Sequence, residues 1–352
     1  MIKIGRSYIS NKKIPYIIAE IGVNHGGCVK KAIRMIDMCK RGGANAVKFQ
    51  SYKAEKIASK FSPSYWDLKK EKTKTQYQLF KKYDTFSQKD YIKLHNHCKK
   101  KKIDFLSTPF DDEAVDFLKN KVPAFKIASA DITNYPLLRK VANTKKPIII
   151  STGASTKNEI RNAIKFLKKN GCTDKKIILL HCILNYPTLD KNANLLMIKD
   201  LINSFPRNMI GYSDHTLPCK NMYSTIMAYS LGAVVIEKHF TYNKKLTGND
   251  HYHAMNENDL RNMLSGLNKA KALIGENNKK KPINSEKISI KNARRSIVLK
   301  RDIKKGDVIN KKDIIPKRPG HGISPIFWDD IIGRRVKKNL KSDQILKWND
   351  LV

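Results

Sequence analysis

Short apolar runs, rich in isoleucine and valine, alternate with longer charged stretches along most of the chain. The runs have the length of buried β-strands, and the stretches between them have helical period. This alternation is typical of successive βα units and predicts a parallel sheet. About eight runs occur, the number that closes a barrel: 16–21, 46–50, 103–107, 124–128, 147–151, 177–182, 209–213 and 234–239.

An open doubly wound sheet is the alternative arrangement of such units. It would normally carry a glycine fingerprint directly after the first strand. Residues 19–27 (AEIGVNHGG) do not have that spacing. The pattern therefore predicts a (β/α)8 TIM barrel.

Helices are predicted over residues 30–41, 156–169 and 257–273. The first has four apolar residues on one face and ends at Gly42-Gly43, a plausible helix cap. Residues 53–83 form a longer connection than a normal βα loop and contain Tyr65-Trp66. A lid at the barrel mouth and a plain surface excursion are equally consistent with this length.

The pattern changes near Gly275, where a polar, lysine-rich stretch begins. We expect a barrel domain over residues 1–274, a linker over 275–286 and a small β-rich domain over 287–352. Short β-type runs at 296–300, 307–309 and 344–346 support the last of these. A domain of this size is close to the lower limit for a lone core, so we expect it to lean on the barrel or on another subunit.

Composition restricts where the protein works. No run of about 20 apolar residues exists, so no membrane span is expected. The amino terminus lacks an apolar signal core. The six cysteines are scattered without a CxxC pair, which argues against a structural zinc site and a disulfide framework. We expect a cytoplasmic protein.

The formal net charge is +39. A polyanionic partner such as nucleic acid would explain it. However, the lysines lie in helix-like or linker-like stretches and are not interleaved with stacking aromatics. Compositional drift, with abundant lysine, asparagine and isoleucine, is the favoured interpretation, and no nucleic-acid partner is expected.

Residues at the carboxyl ends of barrel strands face the active site. Lys48 and Lys126 lie there, and hydroxyl side chains follow the same strand ends. Charged lysines together with hydroxyls suit a ligand that carries both phosphate and carboxylate. The alternative for Lys48 is a lysine that extends from a strand end to solvent.

His215 and His239 follow neighbouring strands. Two imidazoles with waters or a carboxylate suit Mn²⁺, Co²⁺, Zn²⁺ or Fe²⁺, although either histidine could be an ordinary hydrogen-bonded residue. Further histidines near loop positions cannot be separated into ligands and bystanders: His25, His181, His251 and His253. Glu20 ends an apolar strand and could serve in acid–base chemistry or in a salt bridge to a strand-end lysine.

Taken together, these strand ends resemble the sialic acid synthase family. The matching strings are 19–27 (AEIGVNHGG), 47–50 (VKFQ), 107–110 (STPF), 125–129 (FKIAS), 151–153 (STG), 211–216 (GYSDHT) and 237–240 (EKHF). Residues 318–323 (RPGHGI) resemble the antifreeze-like (SAF) domain, a β-clip fold that follows the barrel in that family.

The resemblance implies an enzyme that joins phosphoenolpyruvate to an amino-sugar aldehyde. Glu20, Lys48 and Lys126 would be catalytic, and His215 and His239 would hold a divalent metal, expected to be Mn²⁺, with Mg²⁺ or Co²⁺ as alternatives. The implied substrate-binding residues are Gln50, Thr108, Ser129, Asp131, Ser151, Tyr186, Ser213, Asp250 and Arg318. Arg318 would reach the site of a second subunit, which implies a domain-swapped homodimer.

Three departures from the family pattern lie near the implied sugar pocket. Asp131 stands where many bacterial members have glutamate, Leu184 takes the place of an asparagine, and residues 247–253 are unusual. N-acetylmannosamine is the first expected acceptor, giving N-acetylneuraminate. A 2,4-diacetamido-2,4,6-trideoxy sugar of the legionaminic type is the alternative.

Three other functions fit the sequence less well. A shorter aldose phosphate as acceptor is disfavoured by the SAF-like tail. A basic nucleic-acid-binding barrel would not need paired histidines beside paired lysines. An independent carbohydrate- or ice-binding tail would leave Arg318 dispensable.

Overall fold

The computed structural model describes residues 1–66, 68–69, 71–248 and 250–352. The chain divides into two compact units, Met1–Gly275 and Glu276–Val352. Each is described by itself.

The first unit is a parallel barrel preceded by a short antiparallel hairpin, β1 (Ile2–Ile4) and β2 (Ser7–Ile9). The barrel strands are β3 (Tyr16–Gly22), β4 (Ala46–Ser51), β5 (Asp104–Pro109), β6 (Phe125–Ile127), β7 (Ile148–Ser151), β8 (Ile177–Cys182), β9 (Met209–Asp214) and β10 (Val235–His239). Their order is β5-β4-β3-β10-β9-β8-β7-β6. β5 and β6 lie side by side, so the sheet nearly closes. All eight predicted runs are strands, and the predicted barrel is confirmed.

Helices follow the strands around the outside. They are α1 (Val29–Gly42), α2 (Ala54–Ile57), α3 (Gln76–Tyr83), α4 (Gln88–Lys101), α5 (Asp112–Leu118), α6 (Tyr135–Asn143), α7 (Lys157–Lys169), α8 (Met197–Ser204), α9 (Tyr223–Ser230) and α10 (Glu257–Ile274). The three predicted helices are confirmed as α1, α7 and α10. Gly43 caps α1 in the left-handed conformation, and Thr156 and Asn256 form capping boxes at α7 and α10.

The inside of the barrel has an apolar end and a polar end. Ile2, Ile4 and Ile9 of the hairpin pack with inward strand residues such as Ile18 and Leu180, which seals the amino-terminal end. Because strand side chains alternate in direction, the inward residues further along the same strands line the opposite end. The polar strand-end residues therefore gather at one mouth.

The second unit holds β11 (Ser296–Leu299), which pairs antiparallel with β12 (Ile314–Lys317). Two short helices accompany them, α11 (Lys287–Ala293) and α12 (Trp328–Ile331). The predicted run at 296–300 is β11. The runs at 307–309 and 344–346 contribute only single bridges, Val308 to Arg335 and Val298 to Ile345.

No helix among the described residues combines the length and apolar character needed to cross a bilayer.

Candidate active site

Two lysines and two glutamates meet inside the carboxyl-terminal mouth of the barrel. Lys48 Nζ lies 2.7 Å from Glu20 Oε2 and 3.7 Å from Glu237 Oε2. Lys126 Nζ lies 3.5 Å from Glu237 Oε1. All four side chains are buried, and they come from four different strands. Glu20 therefore forms a salt bridge to a strand-end lysine, one of the two interpretations of its position, and its role in acid–base chemistry stays a prediction.

The predicted hydroxyls surround this cluster. Lys48 Nζ donates to Thr108 Oγ1 at 2.9 Å, and Ser213 Oγ donates to Glu237 Oε1 at 3.0 Å. Ser129 Oγ accepts from the backbone N–H of Gly153 at 3.0 Å. Ser151 Oγ is buried without a hydrogen-bond partner in the described parts of the chain. A buried hydroxyl of this kind is suited to a ligand oxygen.

Burial and mutual charge shift the pKa values of the cluster in different directions. Burial raises the pKa of Glu20 to about 7, with Lys48 opposing this and Glu237 reinforcing it. Burial also disfavours charge on Glu237, but Lys126 and Lys48 outweigh it and the pKa of Glu237 is lowered. The pKa of Lys126 is lowered, chiefly by burial. Glu20 is thus the group of the cluster that can exchange a proton near neutral pH.

The residues expected at the sugar lie beside the cluster. Gln50 Nε2 donates to Glu20 Oε1 at 3.2 Å. Burial raises the pKa of Asp250 to about 6. Gly22, at φ +53°, lies close to both Glu20 and Asp250. A Cβ at this position would lie 3.2 Å from Glu20 Oε1 and 3.7 Å from Asp250 Oδ2. Asp131 is held through Asn134, whose Nδ2 donates to Asp131 Oδ1 at 3.1 Å.

The histidines form a group at the same mouth. The rings of His215 and His239 are 5.6 Å apart, and Tyr186 lies 4.1 Å from the His215 ring. His239, Asp250 and His253 place one ligand atom each within 4.8 Å of one another. Two imidazoles and a carboxylate are a donor set that fits a divalent cation. His253 is one of the histidines that the sequence left undecided.

His215 is less well placed for that group of three. Its Nδ1 lies 2.8 Å from the carbonyl oxygen of Ile183, which orients the ring. This contact leaves Nε2 as the nitrogen that can face a ligand. The role of His215 as a metal ligand stays a prediction.

Glu237 is the main residue that the site prediction lacked. Glu237 is the first residue of the matching string 237–240 (EKHF), but the sequence analysis predicts no role for it. The alternation of β10 contains the signal, because Glu237 is two residues before His239 and must share its inward face. Arg318, in contrast, is an exposed residue of the second unit, and its predicted role stays a prediction.

Comparison with known proteins identifies the class to which this site belongs. Residues 35–279 match the NeuB family, and residues 294–352 match the SAF domain. The chain belongs to the NeuB family and carries a SAF domain, which confirms the resemblance stated from its strand ends.

Its relatives include synthases of sugar acids. The chain is 38% identical to an N,N'-diacetyllegionaminic acid synthase of Campylobacter jejuni, over 94% of this chain and 98% of that protein. It is also 38% identical to the enzyme of the same name from Legionella pneumophila, over 96% and 94%. The crystal structure of an N-acetylneuraminic acid synthetase from Leptospira borgpetersenii is similar, with a TM-score of 0.72, 33% identity and coverage of 82% and 94%.

Proposed function

We propose that the protein condenses phosphoenolpyruvate with a 2-acetamido-mannose-type aldehyde, giving a nine-carbon 2-keto sugar acid and phosphate. The observation that carries this is the pairing of Lys48 and Lys126 with Glu20 and Glu237 directly beside a histidine–carboxylate group. The two lysines suit a small, highly charged enol phosphate. The histidine–carboxylate group, with a bound cation, suits an aldehyde oxygen.

Phosphoenolpyruvate would bind at the mouth beside the two lysines. Its phosphate and carboxylate oxygens would take charge-assisted bonds from Lys48 and Lys126, and further bonds from Thr108, Ser129, Ser151 and Ser213. The free hydroxyl of Ser151 supports this arrangement. The lowered pKa of Lys126 also supports it, because an incoming anion would stabilise the charge of Lys126 that burial disfavours.

The sugar aldehyde would lie towards Gln50, Asp131, Tyr186 and Asp250. A divalent cation would be held by His239 and Asp250, with His215 or His253 as a further ligand, and polarisation of the aldehyde is the chemistry it supplies. We retain Mn²⁺ as the expected ion, with Mg²⁺ or Co²⁺ as alternatives.

Bond formation then joins carbon 3 of phosphoenolpyruvate to the aldehyde carbon and leaves cationic character at carbon 2. The aldehyde oxygen takes up a proton and becomes a hydroxyl. Water adds at carbon 2 and gives up one proton, which replaces the one taken up by the aldehyde oxygen. The other proton leaves with phosphate as the carbon 2 carbonyl forms and the bond between carbon 2 and the bridging oxygen breaks. Glu20, with a pKa of about 7, can position this water and accept its proton. Its negative charge also stabilises the cationic carbon.

For the acceptor, we favour a 2,4-diacetamido-2,4,6-trideoxy sugar, because the two 38% identical relatives carry the name of that product. N-acetylmannosamine, the acceptor expected first from the sequence, remains the second candidate. The similar Leptospira structure, named for N-acetylneuraminic acid, supports it.

We also propose a cytoplasmic homodimer in which Arg318 of one chain contacts the sugar in the other. This rests on the resemblance of residues 318–323 to the SAF domain of the family and on the SAF match.

The test is phosphate release from phosphoenolpyruvate with each acceptor, before and after chelation and metal return. We expect release that requires an acceptor, is lost on chelation and returns with Mn²⁺. Higher kcat/KM with the diacetamido sugar supports the favoured acceptor, and higher kcat/KM with N-acetylmannosamine reverses the choice. Release that persists after exhaustive chelation contradicts the metal, and no release with either sugar contradicts the function.

A further inference from the structure

The cavity at the barrel mouth has two unlike sides. One side consists of Gln50, Tyr186, His239 and Asp250, the residues already placed at the sugar and the metal. The other side is contributed by the inserted segment 53–83 through Tyr65, Leu79, Phe80 and Tyr83, here called the aromatic wall. The insertion is therefore part of the acceptor cavity.

The segment is fastened at its base. Lys53 Nζ lies 2.9 Å from Asp84 Oδ1, and the backbone N–H of Ala54 donates to Asp84 Oδ2 at 3.2 Å. These contacts join the beginning of α2 to the residue that follows α3. They hold the two ends of the segment together at the rim of the barrel.

A second set of contacts holds the middle of the segment. The Glu71 carboxylate is 3% exposed and lies 3.0 Å from Lys82 Nζ. It also accepts from the backbone N–H of Thr73 at 3.1 Å. With both base and middle fixed, the aromatic wall has a defined position rather than that of a mobile loop.

The chemistry of the aromatic wall differs from that of the inner side. Its four side chains are apolar or phenolic, and none carries a charge at neutral pH. Burial raises the pKa of Tyr83, with Lys82 opposing this and the charges of Glu71 and Asp250 reinforcing it, so its hydroxyl stays neutral. Tyr65 is 60% exposed, which leaves its ring available to a ligand in the cavity.

We propose that the aromatic wall is the specificity-determining element for the far end of the acceptor sugar. With the aldehyde near His239 and Asp250, the rest of a bound sugar would extend along the other lining residues of the cavity, which include those of the segment 53–83. There, rings and Leu79 suit the methyl groups of a second N-acyl substituent and of a deoxy carbon 6, and phenolic hydroxyls can donate to the acyl oxygen. A hydroxyl-rich far end would gain less from the same surface. This inference rests on the proposed function.

The main test compares wild type with Tyr83→Ala and Tyr65→Ala on two acceptors, the 2,4-diacetamido-2,4,6-trideoxy sugar and N-acetylmannosamine. We expect each variant to lower the ratio of kcat/KM for the diacetamido sugar over N-acetylmannosamine by about tenfold. The change should lie mainly in the KM of the diacetamido sugar, while the KM of phosphoenolpyruvate stays constant.

Two further variants separate the contributions. Tyr83→Phe keeps the ring and removes the hydroxyl, so it should retain most of the discrimination. Tyr77→Ala is the matched control, because Tyr77 lies on the same helix, α3, but does not line the cavity. It should leave the ratio unchanged. Thermal unfolding of each variant checks that the segment remains folded.

A uniform loss of activity with both acceptors, or an unchanged ratio, would overturn the proposal. If wild type turns over neither sugar, the proposed function fails, yet binding still tests the aromatic wall. The ring of Trp66 lies 5.3 Å from that of Tyr65 and can report binding by fluorescence. A response to the diacetamido sugar that is equal in wild type and Tyr83→Ala would then contradict the role of the aromatic wall.

Discussion

Glu237 and Lys238 are consecutive residues of β10 that point to opposite faces of the barrel wall. Glu237 faces the interior, between Lys48 and Lys126. Lys238 faces the surrounding layer and pairs with Asp214 of β9 at 2.8 Å. We call Lys238 and Asp214 the outer pair, and Glu237 with Glu20 and the two lysines the inner cluster. Both are buried, but their polar atoms differ in how many hydrogen bonds they make.

The outer pair is fully satisfied. Asp214 Oδ1 accepts from Tyr212 Oη at 3.0 Å, from the backbone N–H of Thr216 at 2.9 Å and from Thr216 Oγ1 at 2.8 Å. Oδ2 accepts from Lys238 and from Ser224 Oγ at 2.9 Å. Lys238 also donates to the carbonyl of Thr216 at 2.7 Å. Although burial opposes its charge, Lys238 and these donors lower the pKa of Asp214.

The inner cluster is not satisfied to the same degree. Glu20 Oε2, Glu237 Oε2 and Ser151 Oγ are buried without a directed hydrogen bond from any described residue, although lysines lie nearby. Unused polar capacity is costly in a folded protein and is concentrated where a ligand supplies the missing partners. We infer that the outer charges hold the strands in place and that the inner charges are left for a ligand.

The largest expected effect is on the outer pair. Lys238→Met leaves Asp214 as an uncompensated buried charge, which should lower the free energy of unfolding by about 3–5 kcal/mol. Urea denaturation measures this. Lys244→Met is the matched control, because the Lys244–Asp259 pair has the same 2.8 Å separation but Lys244 is 35% exposed. Its loss should be about 0–1 kcal/mol. Equal losses in the two variants would show that burial of the Lys238–Asp214 pair adds nothing to its contribution to stability.

Lys126→Met should produce the opposite pattern. We expect kcat/KM for phosphoenolpyruvate to fall by about 10²–10³, since one buried charge contact is worth roughly 2–5 kcal/mol. The free energy of unfolding should equal or exceed that of wild type, because burial already disfavours the charge of Lys126. Steady-state kinetics and denaturation of the same preparation check both parts. A strongly destabilised but active variant would show that Lys126 is structural.

The smallest effect is a dependence on pH. Because the pKa of Glu20 is about 7, kcat/KM should fall about tenfold per pH unit below that value, and Glu20→Gln should lose this limb along with most activity. Stability should respond in the opposite direction. The raised pKa means that folded Glu20 binds more protons than unfolded Glu20, so its contribution decreases as the pH rises towards 7.

Asp214 provides the contrast, since its lowered pKa gives stability that is lost only as the pH falls into the acid range. Denaturation of wild type and Glu20→Gln across pH 4.5 to 8 would isolate the Glu20 trend, and extending the wild-type series into more acidic buffer would show that of Asp214. A pH–rate limb that survives in Glu20→Gln would assign it to another group, such as Asp250.

The sequence was most informative where structure follows from local patterns. Apolar runs located every barrel strand, and counting them indicated closure. The strand-end rule then brought Lys48 and Lys126 to one mouth. The sequence did not predict β12, because Pro316 lies within this strand and proline argues against a strand. In the structure Pro316 nevertheless lies opposite Ile297 of β11.

The parts that the sequence could not supply depend on distances between loops and strands. His253 lies beyond β10, and only the folded chain brings it to His239 and Asp250. The contribution of Tyr65 and Tyr83 to the cavity likewise depends on how the segment 53–83 folds back over the rim. No local periodicity encodes such contacts.

The pairing of β3 with β10 has a consequence for biosynthesis. The register pairs Glu20 with His239, and the backbone N–H of Phe240 donates to the Glu20 carbonyl at 2.7 Å. These residues come from opposite ends of the barrel sequence and are made at widely separated times on the ribosome. The nascent chain must therefore carry Glu20 and Lys48 without their final neighbours until the last strand has emerged. The inner cluster of charges is therefore complete only after β10, which carries Glu237, has been translated.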